Sequence, residues 1–189
     1  MKCYQKILKP KSCCSIKNVI VFGILIILSG CVSIKPGGVK TGNKLYETFF
    51  VGDEGTQYFI KPLTFRNDVK DRLVLDLTFR YRNEIKDSAF VNISFINKEI
   101  IKDIDSLEIA NDSVAIVFKK MKFLFSERSK KEINSRFSTK GYLADINKLF
   151  DCNNWKIVLY KLNNLSKYKT TKKTKNKINK LKFEIFMLF

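Results

Sequence analysis

The sequence predicts a mainly β domain of the β-rich α+β class, an antiparallel sandwich or small barrel with one packed helix near residues 138–150. Three observations predict it: hydrophobic alternation at a period of two, joins too short to hold crossover helices, and one segment that switches to helical spacing.

The alternation is clearest over residues 73–82, where Leu73, Leu75, Leu77, Phe79 and Tyr81 interleave with Val74, Asp76, Thr78, Arg80 and Arg82. Side chains in a strand point alternately to its two faces, so one set is buried and the other meets solvent. Residues 89–97 repeat the pattern with Val91, Ile93 and Phe95 against Asn92 and Ser94. The intervening residues 83–87 are polar and few, so the two strands are expected to pair antiparallel. Leu75, Leu77, Phe79, Val91, Ile93 and Trp155 are therefore expected in the core, with Arg80, Asn92 and Ser94 exposed.

Further strands are expected over 46–51, 57–63, 107–110, 114–118, 122–125 and 155–162. Gly52 and Gly55 supply a tight connection, and Asn111-Asp112 suits a two-residue primed turn with positive φ. Pro62 has no N–H for a ladder, which predicts a strand end or a sheet edge there. Residues 130–135 are polar and read as loop or a short helical turn. Within 138–150, Leu143, Ile146, Leu149 and Phe150 recur at three- and four-residue spacing, the stripe of an amphipathic helix. Ser138 or Thr139 is the expected cap, and Gly141 weakens the first turn. About 120 residues over 45–162 suffice for one domain with its own core.

The formal charge is +18, with 36 Lys and Arg against 18 Asp and Glu. It is unevenly placed: residues 1–30 contribute +5, residues 31–155 only +4, and residues 156–189 contribute +9. The body is thus near balance and carries no nucleic-acid-binding motif, so no nucleic-acid partner is expected. The basic tail over 163–189 is low in complexity and is expected to be disordered in isolation. Beside an anionic leaflet, Lys172, Lys173, Lys175 and Lys177 would lie on lipid with Phe186 and Phe189 inserted.

The N-terminus reads as an export signal. Lys2, Lys6, Lys9, Lys11 and Lys17 form a basic region, residues 19–28 are uniformly apolar, and small residues lead to a cysteine. Ten apolar residues are too few to span a bilayer core that needs about 20. Leu28-Ser29-Gly30-Cys31 resembles the lipobox of bacterial lipoproteins. That resemblance implies a diacylglycerol on the Cys31 thiol, cleavage before it, and often acylation of the new amine. It also implies residues 1–30 as signal, 31–44 as tether, and a body outside the cytoplasm in the cell envelope. The competing reading is an uncleaved anchor helix with an incidental cysteine. Once the signal leaves, Cys31 and Cys152 remain of five cysteines. Lipidation of Cys31 leaves Cys152 without an intramolecular partner, and it reads as a small buried hydrophobe beside Trp155.

The chain contains no histidine. The usual triad and most zinc and copper sites are thereby excluded, and no phosphate-cradling glycine loop is present. Neither catalytic nor metal-ligating residues are assigned, and no cofactor beyond the covalent lipid is expected. Asp103, Asp105 and Glu108, then Asp68 and Asp71, are the densest acidic groups, and charges between strands are usually solvated loops. Phe50 and Phe90 are rings that, if exposed, mark a contact surface for a partner or glycan. The expected function is a membrane-anchored, non-catalytic envelope module that binds an envelope protein or glycan. The alternative is a hydrolase using paired carboxylates on envelope or nutrient polymers.

Overall fold

The computed structural model of the chain describes residues 45–81, 88–162 and 164–188. The signal over 1–30, Cys31, the tether, the join at 83–87 and Phe189 lie outside the described residues. Ten strands form one sheet: β1 (Tyr46–Phe50), β2 (Thr56–Arg66), β3 (Arg72–Tyr81), β4 (Ser88–Asn97), β5 (Ser106–Ala110), β6 (Ala115–Phe118), β7 (Lys122–Ser129), β8 (Glu132–Tyr142), β9 (Lys156–Lys161) and β10 (Asn164–Thr170). All pairings are antiparallel, in the order β6-β5-β9-β10-β2-β3-β4-β8-β7, with β1 also on β2. The class is β-rich α+β, realised as a single sheet curled into a half-barrel with two helices.

Register explains the core. Leu73, Leu75 and Leu77 of β3 stand opposite Phe95, Ile93 and Val91 of β4, and all six are buried. Phe79 and Trp155 join them, as the alternation predicts. Arg80 is exposed and Asn92 half-buried, but Ser94 is only 4% exposed. Its burial is a correction with a clear cause. Ser94 is paired with Arg136 of β8, whose Nη1 donates to the serine hydroxyl at 3.0 Å. The same guanidinium holds Asp76 at 2.8 Å, and Asn92 donates to Asp76 at 3.0 Å. An alternating strand face can thus be polar and still covered, when a long side chain from a neighbour lies across it.

Pro62 sits inside β2, not at its end. The β2–β3 register slips between Ile60 and Leu63. One extra residue there lets Ile60 and Leu63 both face the core despite their odd spacing. Since β3 occupies one edge of β2, β1 and β10 share the other: β1 pairs with 56–60 and β10 with Phe65 and Arg66. Pro62 falls between them, where no ladder asks for its missing N–H.

Two other turns differ from expectation. The β5–β6 turn has no positive φ at Asn111 or Asp112. Instead Asn111 Oδ1 accepts from the backbones of Ser113 and Val114, both at 2.8 Å, a side-chain substitute for a backbone turn. Of residues 130–135 only Lys130 and Lys131 are a turn, and the rest are strand. The turn has a φ of 57° at Lys130, and β8 follows, whose Ile133, Ser135 and Phe137 are buried at alternate positions.

The first helix, α1, is Leu143–Leu149, shorter than expected. Ser138 and Thr139 pair with Asn92 and Val91 of β4, and the extended residue Tyr142 caps α1 without a side-chain bond. Gly141 lies in β8. A Cβ there would come within 2.8 Å of the Phe118 ring, so glycine permits the close approach of β6. The apolar stripe was placed correctly: Leu143, Ile146, Leu149 and Phe150 are buried. Asn111 Nδ2 donates to the carbonyls of Lys148 and Leu149, satisfying the end of α1. Trp155 Nε1 donates to the Leu149 and Cys152 carbonyls at 2.7 and 2.8 Å. Cys152 itself is half-buried.

The domain does not stop at residue 162. Residues 164–170 form β10 against β9, and a second helix, α2 (Lys172–Glu184), follows. Thr171 caps α2 by accepting from the Thr174 backbone at 3.2 Å. Tyr168, Ile178, Leu181, Ile185 and Phe186 belong to the same core as β3 and β4. A lysine-rich helix of 13 residues is marginal by itself. Docking supplies what propensity does not, at about 1.5–3 kcal/mol for each large apolar side chain buried.

Candidate contact surface

The concave face of the curled sheet is filled by the core and covered by α1 and α2, leaving the convex face as the place for exposed rings. Directly opposed residues share a face. Glu47, Phe59 and Thr78 are successive partners across β1, β2 and β3, and Thr78, Phe90 and Lys140 continue the row across β4 and β8. One step along, Phe49 opposes Gln57, and Gln57 opposes Arg80. Tyr142 lies two residues beyond Lys140 and so on the same face.

Phe59 is 40% exposed, Phe90 44% and Tyr142 73%. Phe49 meets Phe59 edge to face, with centroids 5.4 Å apart, and the Lys140 ammonium stands 4.8 Å above the Phe90 ring. Beside Phe90 lies a hollow of about 320 Å³ lined by Gln57, Thr78, Phe79, Arg80, Ser88 and Phe90. Gln57 donates to the Phe79 carbonyl at 2.9 Å and accepts from Arg80 Nε at 2.8 Å. That pair of bonds fixes both polar side chains beside the rings. The surface therefore offers stacking faces, a held amide and two cations. Such a surface can bind.

Phe50, the other ring singled out from sequence, is exposed but faces elsewhere. It opposes Thr56, which in turn opposes Tyr81, at the rim of the core-facing side. Phe59 and Tyr142 were missed. Both alternate with core residues of their strands, and that was the signal available.

A second hollow, of about 570 Å³, opens at the turn ends of β2–β3, β4 and β9–β10. Asp71, Lys98, Glu99, Lys161 and Tyr168 are among its lining residues. Asp71 accepts from the Asn67 side chain at 3.1 Å, and its backbone donates to Asn67 Oδ1 at 2.7 Å, so it closes the β2–β3 turn. The other acidic groups are also structural or solvated. Asp105 accepts from the Leu162 backbone and Glu108 from the Tyr160 hydroxyl, while Asp68 is solvent-exposed with Lys169 at 3.9 Å. Among the described residues no group of three or more acidic or cysteine side chains is placed to hold a metal ion.

Tyr168 makes this end of the domain alkali-sensitive. Burial, reinforced by the charge of Asp71, pushes its phenol from 10.0 up to about 12. A phenol harder to ionise when folded contributes stability in full below pH 10.0 and loses it as pH rises through about 12. The contribution falls by up to about 1.4 kcal/mol per pH unit. Denaturant titrations across that window will show a shallower decline for Tyr168→Phe than for the wild type. Parallel declines would contradict the assignment.

Of the residues expected at a membrane, Lys172 and Lys173 are exposed and Lys175 half-buried. Lys177 donates to the Pro62 carbonyl at 3.1 Å, and burial, with the charge of Lys173, lowers its pKa. Phe186 is corrected: it is buried, stacked on Phe150 with centroids 3.6 Å apart, and is not available to lipid. Among the described residues, no helix is long and apolar enough to cross a membrane.

Compared with known proteins, the chain matches no family model, no curated protein and no solved structure.

Proposed function

We propose that the chain is an envelope lipoprotein, anchored through a diacylglycerol on Cys31, whose β domain is a non-catalytic module that binds another envelope protein or a glycan. The binding face is the convex ring surface of β1–β4 and β8. The observation that carries this reading is the exposure of Phe59, Phe90 and Tyr142 on one face, with Gln57 and Arg80 fixed beside them. Aromatic rings lose little rotamer freedom on binding and bring a large apolar face, so a cluster of them on a sheet exterior is suited to recognition. A planar sugar ring or an extended peptide would stack on Phe59 and Phe90 while Arg80 and Lys140 meet its polar groups.

The hydrolase alternative has one feature in its favour, the two carboxylates Asp71 and Glu99 in the hollow at the turn end. Asp71 is engaged in closing a turn, which favours the binding reading. A pull-down from detergent-solubilised envelope discriminates between them. The wild type is expected to retain a specific component that the double variant Phe59→Ala, Phe90→Ala releases at unchanged melting temperature. Retention by both forms would remove the ring surface from the account. Release of soluble fragments from envelope polymers, abolished by Glu99→Gln, would favour the hydrolase.

A further inference from the structure

We infer that the outward face of α2 is a second membrane contact, seating the domain on an anionic lipid surface beside its own anchor. The inference rests on reading residues 31–44 as a tether from a lipidated Cys31.

The helix buries Thr174, Ile178, Leu181 and, just past its end, Ile185. At 3.6 residues per turn these fall on one side. The opposite side carries Lys172, Asn176, Asn179, Lys180 and, in the middle of that polar face, Phe183. Lys172, Lys173 and Lys180 are exposed. Phe183 is 67% exposed, and Met187 and Leu188 just beyond are 60% and 65% exposed. Six lysines and one acid, Glu184, lie within the helix. An outward phenylalanine one turn from Lys180 on a lysine-rich helix gains nothing from the core. It matches the boundary between headgroups and acyl chains, where cations meet lipid phosphates and apolar side chains insert.

The position of the tether points the same way. The described chain enters the domain at Leu45, whose carbonyl accepts from the Lys61 backbone at 2.8 Å. The next residue, Pro62, has its carbonyl held by Lys177 of α2 at 3.1 Å. The described chain thus begins beside the middle of α2. Residues 31–44 reach at most about 50 Å when fully extended. An anchor joined there keeps α2 within that reach of the bilayer.

The test uses the mature chain from residue 31 with Cys31→Ser, since the core is complete within residues 45–188. Without lipid, binding does not depend on the anchor, and its failure would leave the lipidation of Cys31 untouched. The chain is expected to bind phosphatidylglycerol–phosphatidylcholine vesicles and not phosphatidylcholine alone, with affinity that falls as the Debye length drops below roughly 8 Å. Replacing Lys172, Lys173 and Lys180 by Gln is expected to weaken binding at least tenfold. Phe183→Ser with Leu188→Ser is expected to weaken it several-fold. All of these positions are exposed, and an unchanged melting temperature verifies folding. No binding at low salt, or equal binding by the lysine variant, would overturn the inference. Sensitivity to the lysines without any to Phe183 and Leu188 would mean simple polyanion binding, which also overturns it.

Discussion

A mature chain ended after Asn164 will show no cooperative unfolding transition. The cut removes nearly all of β10 and all of α2, and with them Tyr168, Ile178, Leu181, Ile185 and Phe186. At about 1.5–3 kcal/mol for each large buried apolar side chain, the loss is on the order of 10 kcal/mol, comparable to the whole stability of a typical domain. Phe150 and Phe79 would lose their contacts with Phe186, and β9 would lose its β10 partner. Near-ultraviolet dichroism and calorimetry decide the matter. A truncated chain that melts with the full one would mean that the C-terminal helix is only laid on the domain. The milder substitution Leu181→Ala is expected to cost about 2–5 kcal/mol and to leave a folded protein.

Phe79→Ala is expected to lower the unfolding free energy by about 3–5 kcal/mol. The Phe79 ring stacks on Tyr58 at 5.1 Å and packs against Phe186 at 5.7 Å, so it joins sheet to helix. Removing it leaves a cavity that three elements would have to close together. Val117→Ala on the exposed edge strand β6 is the control, with a change within about 0.5 kcal/mol. Denaturant midpoints of both variants, at unchanged slope, measure the contrast. Equal effects would mean that the chain does not pack as described.

The strands were legible because their signal is local. Leu73 to Phe79 and Val91 to Phe95 declare a period of two within a few residues, and the packing follows that pattern. Ser94 defeated the pattern since its cover comes from Arg136, 42 residues away. Residues 138–142 were assigned to the helix because serine, threonine and glycine carry no strong period, whereas the ladder to β4 decides their conformation. The tail was misread for a physical reason. Lysine stems lie along apolar surface while their ammonium groups reach solvent, so a segment as basic as 172–185 docks by four side chains, Thr174, Ile178, Leu181 and Ile185. The stripe of Ile178, Leu181 and Ile185 was visible at helical spacing, and the lysine count outweighed it. The ring surface was half legible. Phe90 could be named from its strand, but Phe59, Gln57, Arg80 and Tyr142 become neighbours only through the pairing of β2, β3, β4 and β8.

Lipidation of Cys31 is the claim on which the function turns, and intact mass spectrometry of the protein extracted from membranes tests it most directly. The account predicts a chain that begins at Cys31 and carries the added mass of a diacylglycerol, with or without a further acyl group on its amine. Cys31→Ser is predicted to abolish that mass and the cleavage. A membrane-extracted chain that retains residues 1–30 with an unmodified Cys31 would contradict the account.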